Sequence, residues 1–322
     1  MVVEITDVIQ SFLGGVLQGG FYALSAVGLS LIFGVQRILN VAQGAFIVLA
    51  SFVTVQFSFS ITPRLHVDPI FSILLDIFVI GAVGIVSYFV LIYRIEKTGF
   101  EAPLLATFGL SIFIEYIIAN GLVIDNHVLI PVLDPSFGNG ATPANQAYST
   151  GYLALGSIRL QEPQLIAFVI AIVVLPLLHL FLTKTFLGRS IRATAQDWQA
   201  AEFSGIDIRF TRAASFTIGS ALAGLAGGVF AFTTPVVPTA GDTVILSIAL
   251  AVIILGGVGS VLGTLVGGIF VGVVIALGDF VALEVLTQYR FPADFGQLIA
   301  FLIFLIVLMV KPAGLFGIRL RK

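Results

Sequence analysis

Two stretches of this chain, residues 165 to 182 and 297 to 310, contain almost nothing but apolar side chains. A membrane demands runs of that kind. The hydrocarbon layer is about 30 Å thick and a helix rises about 1.5 Å per residue, so one crossing takes about 20 mainly apolar residues. Several segments reach that length. Composition agrees: 58% of the 322 residues are hydrophobic and 10% are charged, against about 25% charged in a soluble domain. So little charge leaves a water-facing surface uncovered. The 34 glycines fit as well, because small residues let helix backbones approach closely where lipid supplies no hydrophobic force between them. The expected fold is an all-α polytopic transmembrane bundle of about eight to ten spans, half-helices included. It forms one domain over residues 1–322.

The same composition excludes several kinds of chemistry. With no cysteine there are no disulfides, thiolate nucleophiles or thiolate metal sites. His66, His127 and His179 are too far apart in sequence to mark a metal site by spacing. No Ser/His/Asp set, histidine pair or carboxylate-rich motif points to an enzyme. The net charge of −2 favours neither nucleic acid nor a strongly basic partner. The chain opens with Glu4 and Asp7 rather than a basic stretch and lacks a small-residue cleavage site. Its first apolar segment is therefore expected to stay as a helix rather than leave as a signal peptide.

Apolar stretches read against their polar punctuation give about nine segments. They are 8–36, 41–61, 70–93, 102–123, 165–183, 211–232, 243–255, 261–283 and 295–310. The first is too long for one straight crossing, and Gly14-Gly15 and Gly19-Gly20 are the expected places for a break or tilt. Segment 243–255 is short, and 102–123 begins with Pro103 and contains Glu115, so each is a candidate half-helix. Lys and Arg orient the map, since they accumulate on the cytoplasmic side. Lys184, Arg189, Arg192, Arg209 and Arg212 form one cluster, Lys311, Arg319, Arg321 and Lys322 another, and Arg94 and Lys97 a third. All three are expected to face inward. The polar stretch 124–164, whose one basic residue is Arg159, is expected outside. Nine crossings then put the N-terminus outside and the C-terminus in the cytoplasm, a parity that a split first segment would break.

The inward loop 184–210 is the most informative. Its centre, GRSIRATAQDWQAAEFSG (188–205), reads as a short amphipathic helix with Ile191, Ala195, Trp198 and Ala201 near one face. Gln196, Asp197 and Gln199 lie away from them. Gly205 is placed to end the helix and Asp207 to cap the next. Two readings stand side by side: the apolar face docks into a groove on a partner protein, or the helix lies in the headgroups with Trp198 as an interfacial anchor.

The stretch GRSIRATAQDWQAAEFSGIDIRFTRAASFTIGSALAGLAG resembles the coupling-loop region of the permeases of branched-chain amino acid ABC importers, the LivH/LivM family. Four further stretches resemble the same family in the same order. They are GGFYALSAVGLSLIFGVQRILNVAQGAF, ATFGLSIFI (106–114), the Gly-rich ILGGVGSVLGTLVGGIFVGV and the ending KPAGLFG. Together they cover most of the chain except the outward loop, and LivH is the closer of the two. The resemblance implies a permease subunit in a prokaryotic plasma membrane, forming the path for branched-chain amino acids, with urea or short amides as neighbouring possibilities. It implies no cofactor on this chain, because separate ABC ATPase subunits use the ATP. The other implied partners are an extracytoplasmic solute-binding protein and a second permease subunit, either LivM-like or a second copy of this chain. On the loop it implies that Arg189, Arg192, Asp197, Trp198, Ala201, Glu202 and Gly205 meet the ATPase.

This sequence departs from the pattern at one place. LivH-type sequences commonly carry Asn-Phe-Ala-His-Gly-Glu, where this chain has Asn40-Val41-Ala42-Gln43-Gly44-Ala45. Both ionisable side chains are replaced, which implies a less charged path. Asn40 and Gln43 remain as candidate path residues near a helix start, where amide donors can face a cavity. Glu115 is the third candidate, as the deepest intramembrane carboxylate; its alternative role is to pair with a neighbouring helix. Asp76, Asp279 and Glu284 read as hydrated groups near segment ends, and His179 as a packing or interfacial residue.

The run Gly256-Gly257-Val258-Gly259-Ser260 is no phosphate loop, because no Lys-Ser or Lys-Thr follows it. It reads as a tight inward turn, followed by close packing through Gly263, Gly267, Gly268 and Gly272. The alternative function class is a stand-alone secondary transporter or channel with a coupling-ion site. Against it, the intramembrane acids are few and scattered, and the two halves show no clear repeat of broken segments.

Overall fold

The computed structural model describes residues 5–59, 69–95, 99, 101–120, 122–124, 127–130, 151–156, 158–233, 244–285 and 295–311. Its helices are α1 (Ile5–Gln36), α2 (Gln43–Phe59), α3 (Pro69–Ser87), α4 (Glu101–Asn120), α5 (Glu162–Lys184), α6 (Phe186–Gln196), α7 (Trp198–Phe203), α8 (Ile208–Thr233), α9 (Leu246–Gly256), α10 (Val261–Phe280) and α11 (Phe295–Val310). A π-turn, Tyr88–Ile92, and a last turn, Tyr93–Ile95, extend α3. Among the described residues, six helices (α1, α3, α4, α5, α8 and α10) are long and apolar enough to cross a membrane, while α2, α9 and α11 are apolar and shorter. This is the all-α polytopic bundle of a multi-pass membrane protein.

The first segment corrects one expectation. It forms a single unbroken helix of 32 residues, and its glycines serve as contact points. Gly14 faces open space, but Gly15, Gly19 and Gly20 each have a neighbouring helix where a side chain would stand. Such packing outweighs the roughly 1 kcal/mol that glycine costs a helix interior. Helix α4 also runs complete, because Pro103 falls in its first turn, where a missing N–H breaks no helical bond. Helix α9 is the short one: its 11 residues span about 16 Å at 1.5 Å each.

Glycine decides which helices lie at the centre. A Cβ added at Gly268 of α10 would sit 2.6 Å from the Ala23 nitrogen of α1, and one at Gly272 2.6 Å from the Gly19 Cα. Both distances lie far inside van der Waals contact, so the two backbones meet with no side chain between them. On another face of α1, Gly28 lies against the Gly219 carbonyl of α8. Helix α8 in turn offers Gly227 to the Ile47 carbonyl of α2, and Gly224 and Gly228 to α3. The apolar windows of α1 and α8 are each 78% buried, against 28% in α4 and α5, which are peripheral.

The Gly-rich turn joins α9 to α10 as its composition suggested. Gly257 and Gly259 have φ of 89° and 77°, a region costly for other residues. Ser260 caps α10 by accepting from the Gly263 amide at 3.0 Å, and the Gly259 amide donates to Ser30 of α1 at 3.2 Å.

The stretch 124–164 holds structure that its polarity did not announce. Strands β1 (Leu122–Ile124) and β2 (His127–Ile130) pair antiparallel, as do β3 (Tyr152–Leu155) and β4 (Ile158–Gln161). The Arg159 guanidinium lies over the Tyr152 ring at 5.3 Å. Much of that loop, and the basic or motif residues Lys97, Arg319, Arg321, Lys322 and 312–317, lie outside the described residues.

Successive spans alternate in direction, so Arg37, Arg94, Lys184, Arg189, Arg192, Arg209, Arg212 and Lys311 collect at one end of the bundle, with Arg159 at the other. Replacing Gly268 with Val forces α1 and α10 apart and should destabilise the detergent-solubilised protein by about 1–3 kcal/mol. Gly14→Ala, with nothing within 4 Å, should leave the unfolding midpoint unchanged or slightly raised. Equal midpoints for Gly268→Val and wild type would refute the contact.

Candidate coupling surface and polar interior

At the basic end, α6 and α7 form a two-helix arm. Thr185 starts it: its Oγ1 donates to the Phe181 carbonyl at 2.8 Å and accepts from the Gly188 amide at 3.0 Å. Gly188 is packed so tightly on the last turn of α5 that a Cβ would meet the Phe181 carbonyl. Ser190, Ile191 and Thr194 are buried against α1, α5 and α8, while Arg189 and Arg192 point outward.

The sequence reading placed one helix over 188–205, and the structure has two. Asp197 adopts an extended conformation (φ −152°, ψ 105°), and its carboxylate accepts from the amides of Gln199 and Ala200 at 2.9 and 3.1 Å. This is an N-cap for α7. The break changes which residues face outward, because helical periodicity does not carry across a non-helical residue. Ile191 and Ala201, read as outer anchors, are 1% and 4% exposed and face the protein. Phe203 is 93% exposed and Trp198 46%, with Gln199 and Glu202 exposed beside them. Phe203 was absent from the sequence-derived set.

Gly205 ends α7 as expected, with φ 84°. Its amide donates to the Glu202 carbonyl at 2.9 Å, and the Ile206 amide to Ala201 at 3.1 Å. Those two bonds make a Schellman motif. Asp207 then caps α8 by accepting from the Phe210 amide at 3.0 Å. Arg209 reaches over the Tyr93 ring at 4.4 Å, tying the start of α8 to the end of α3.

The candidate path residues separate into two places. Asn40 and Gln43 are fully buried. Gln43 Nε2 donates to the Gly219 carbonyl of α8 at 3.4 Å, and Asn40 Nδ2 donates to Gln43 Oε1 at 3.4 Å. The Val41 amide donates to Thr107 of α4 at 3.2 Å. Gln43 therefore holds the start of α2 against α8 with Asn40 bonded to it, and Asn40 Oδ1 has no partner. Glu115 is half-buried on peripheral α4. It lies eight residues beyond Thr107, about 12 Å further along the helix axis at 1.5 Å per residue, and is not brought to Asn40 or Gln43.

Asp76, expected to be hydrated near a segment end, is instead fully buried. Its Oδ2 takes a short hydrogen bond from Thr54 of α2, and Oδ1 has no partner. A Cβ on Gly228 of α8 would stand 2.7 Å from Oδ2. The Gly224/Gly228 pair is thus the recess into which Asp76 fits. Asp279 is also engaged, accepting from the Gly296 amide at 2.7 Å to join α10 to α11. His179 is exposed on α5, and the Glu284 side chain lies outside the described residues.

A family model described as "Branched-chain amino acid transport system / permease component" matches residues 11–308. The chain belongs to this family. It is a family of transport permeases, not a class of enzymes. Among its relatives is a probable branched-chain amino acid transport permease protein LivH from Methanocaldococcus jannaschii, 28% identical over 96% of this chain and 92% of its own. The high-affinity branched-chain amino acid permease protein BraD of Pseudomonas aeruginosa is 27% identical over 98% and 97%. An autoinducer 2 import permease, LsrC of Escherichia coli, is 32% identical over 44% of this chain and 40% of its own. No solved structure matches.

The Thr54 hydroxyl is the hydrogen-bond partner of a buried carboxylate. Thr54→Val should therefore lower stability by about 1–3 kcal/mol, the cost of leaving such a group unpaired. Thr54→Ser should stay near wild type in the same detergent melt. A Thr54→Val melt that overlays wild type would show that Asp76 is satisfied elsewhere.

Proposed function

We propose that this chain is the permease subunit of a branched-chain amino acid ABC importer in a prokaryotic plasma membrane. Its basic end and C-terminus face the cytoplasm, in keeping with the accumulation of Lys and Arg on that side. Separate ATPase subunits supply ATP hydrolysis. A solute-binding protein delivers the amino acid to the opposite end, and a second permease subunit, LivM-like or another copy of this chain, completes the path. The family's description as a component of a transport system favours this over a stand-alone carrier.

One observation carries the coupling part of the proposal. The α6–α7 arm is packed to the spans on one face and, on the other, presents Phe203, Trp198 and Glu202 to the surface. An exposed aromatic on a short rigid helix suits a groove on a partner, where such anchors dominate binding energy. Arg189 and Arg192 add positive charge beside it. Asp197, Ala201 and Gly205 act through the shape of the arm: cap, buried contact and helix end. Asn40, Gln43 and Glu115 stay proposed path residues. The unpartnered Asn40 Oδ1 supports a rearrangement of 37–42 during transport.

Phe203→Asp should reduce ATP-driven leucine uptake by about 30-fold or more in vesicles carrying the assembled transporter, matching the 2 kcal/mol of an interface hot spot. Membrane insertion of the permease should be unaffected. Gly205→Val, which strains a left-handed backbone, should weaken coupling through the arm's geometry. Undiminished uptake by Phe203→Asp would remove α7 from the ATPase interface.

A further inference from the structure

Helix α1 carries six glycines, and five of them have a neighbouring helix or turn where a side chain would stand. Gly14 has none: a Cβ there would meet nothing within 4 Å. Glycine costs a helix interior about 1 kcal/mol, and no packing contact offsets that cost at this position. What Gly14 borders is a cleft of about 340 Å³ at the end of the bundle opposite the basic one. Small-molecule sites begin at about 300 Å³, so the cleft has the size for a small solute.

Three helices and a strand line it. On α1, Ser11, Gly14, Gln18 and Tyr22 recur every three or four residues and so share one face. From Ser11 to Tyr22 the helix rises about 16 Å at 1.5 Å per residue, which takes the cleft well into the bundle. Helix α5 adds Gln164, α10 adds Asp279 and β4 adds Arg159. Arg159 is exposed, and Ser11, Gln18, Tyr22, Gln164 and Asp279 are half-buried, so these groups are open to solvent rather than sealed in the core. Polar side chains inside a span are costly unless they face water or a partner, and they mark solute pathways.

The charges of the lining are one of each sign, and both are held in place. The Arg159 guanidinium lies over the Tyr152 ring at 5.3 Å, and Asp279 Oδ1 accepts from the Gly296 amide at 2.7 Å. Between them, the Gln18 side chain is hydrogen-bonded to the Tyr22 hydroxyl. A guanidinium suits a carboxylate and an aspartate suits an ammonium group, while side-chain amides and hydroxyls serve either. Leu160, Ile275 and Ala276 complete the lining with apolar surface for a side chain. We propose that this cleft binds an α-amino acid zwitterion at the outer end, as the first station of the substrate on this chain. The proposal rests on the reading that this end is extracytoplasmic and that the chain moves amino acids.

The chain has no cysteine, so a thiol placed at Gly14 reports on the cleft alone. In vesicles carrying the membrane-embedded transporter without its binding protein, Gly14→Cys should react with a membrane-impermeant maleimide applied to the face opposite the ATPase. Leucine at about ten times its half-effect concentration should slow that reaction about tenfold, since a filled site leaves the thiol free only about a tenth of the time. Adding Arg159→Gln or Asp279→Asn should raise the half-effect concentration about tenfold or more, as expected when one charge-assisted hydrogen bond is lost. Ser11→Cys, close to isosteric, repeats the measurement should Gly14→Cys fail to assemble. Gly14→Leu fills the cleft without displacing a backbone. It should cut leucine uptake about tenfold or more while the protein still inserts.

No reaction of either thiol would show that the cleft is closed, and labelling indifferent to leucine would show that it holds only water; either result overturns the proposal. It is equally overturned by protection of the same strength from urea, a neutral amide, by unchanged protection in both charge variants, or by undiminished uptake through Gly14→Leu. Leucine uptake by the wild-type transporter with its binding protein is read separately. Its absence would sink the importer assignment while leaving the labelling to decide the cleft.

Discussion

Gly15 and Gly19 lie against Gly268 and Gly272 so closely that no side chain fits between the two backbones, and the bundle is arranged around that contact. In lipid no hydrophobic force draws helices together, and packing of backbone on backbone takes its place. Helix α1 uses several faces in this way. Gly20 admits α5 and Gly28 admits α8, while α8 extends the pattern to α2 and α3. The outcome is a glycine-lined centre of α1 and α8, with α10 packed along α1 and with α4 and α5 at the edge. A long unbroken α1 is a condition of this arrangement, because its contacts run from Gly15 to Gly34.

The lengths of the apolar helices were legible because lipid thickness sets them, and all nine segments have a helical counterpart. Gly263, Gly267, Gly268 and Gly272 were legible as packing residues because their i, i+4 spacings make two small-residue stripes; Gly263 and Gly267 meet α9, while Gly268 and Gly272 meet α1. The continuity of α1 was not legible: a glycine pair signals weakness until the helix that fills it is known. Asp76 was hidden for the same reason, since its burial depends on Gly224 and Gly228 of a helix far away in sequence. Phe203 was missed because Asp197 has helical neighbours but not helical dihedrals, and a periodicity count runs through it unaware. The hairpins of residues 122–161 lie in a stretch whose polarity reads simply as loop.

Intramembrane carboxylates divide by what the structure gives them to do. Asp279 binds the Gly296 amide and fixes the entry of α11. Asp76 sits in a recess of α8 and takes its hydrogen bond from Thr54. Both roles join helices, which gives these two polar groups a structural part in the bundle.

A push on Phe203 has a defined route inward under the proposed mechanism. Helix α7 passes into α8 through the Gly205 turn and the Asp207 cap, so the two move together. Eleven residues into α8, the Gly219 carbonyl receives Gln43, which in turn accepts from Asn40. The segment between α1 and α2 also contains Arg37 with φ 54°, a conformation that costs a side-chain-bearing residue about 1–2 kcal/mol. Strain at Arg37, an unpartnered Asn40 oxygen and hydrogen bonds of 3.4 Å make this turn the weakest-held part of an otherwise backbone-packed centre. A second arrangement costs least there, and coupling between distant sites requires an element with two arrangements. The stiffness of the glycine centre and the looseness of the 37–42 turn are therefore complementary: the first keeps a push on α7 from dissipating, and the second gives it somewhere to act.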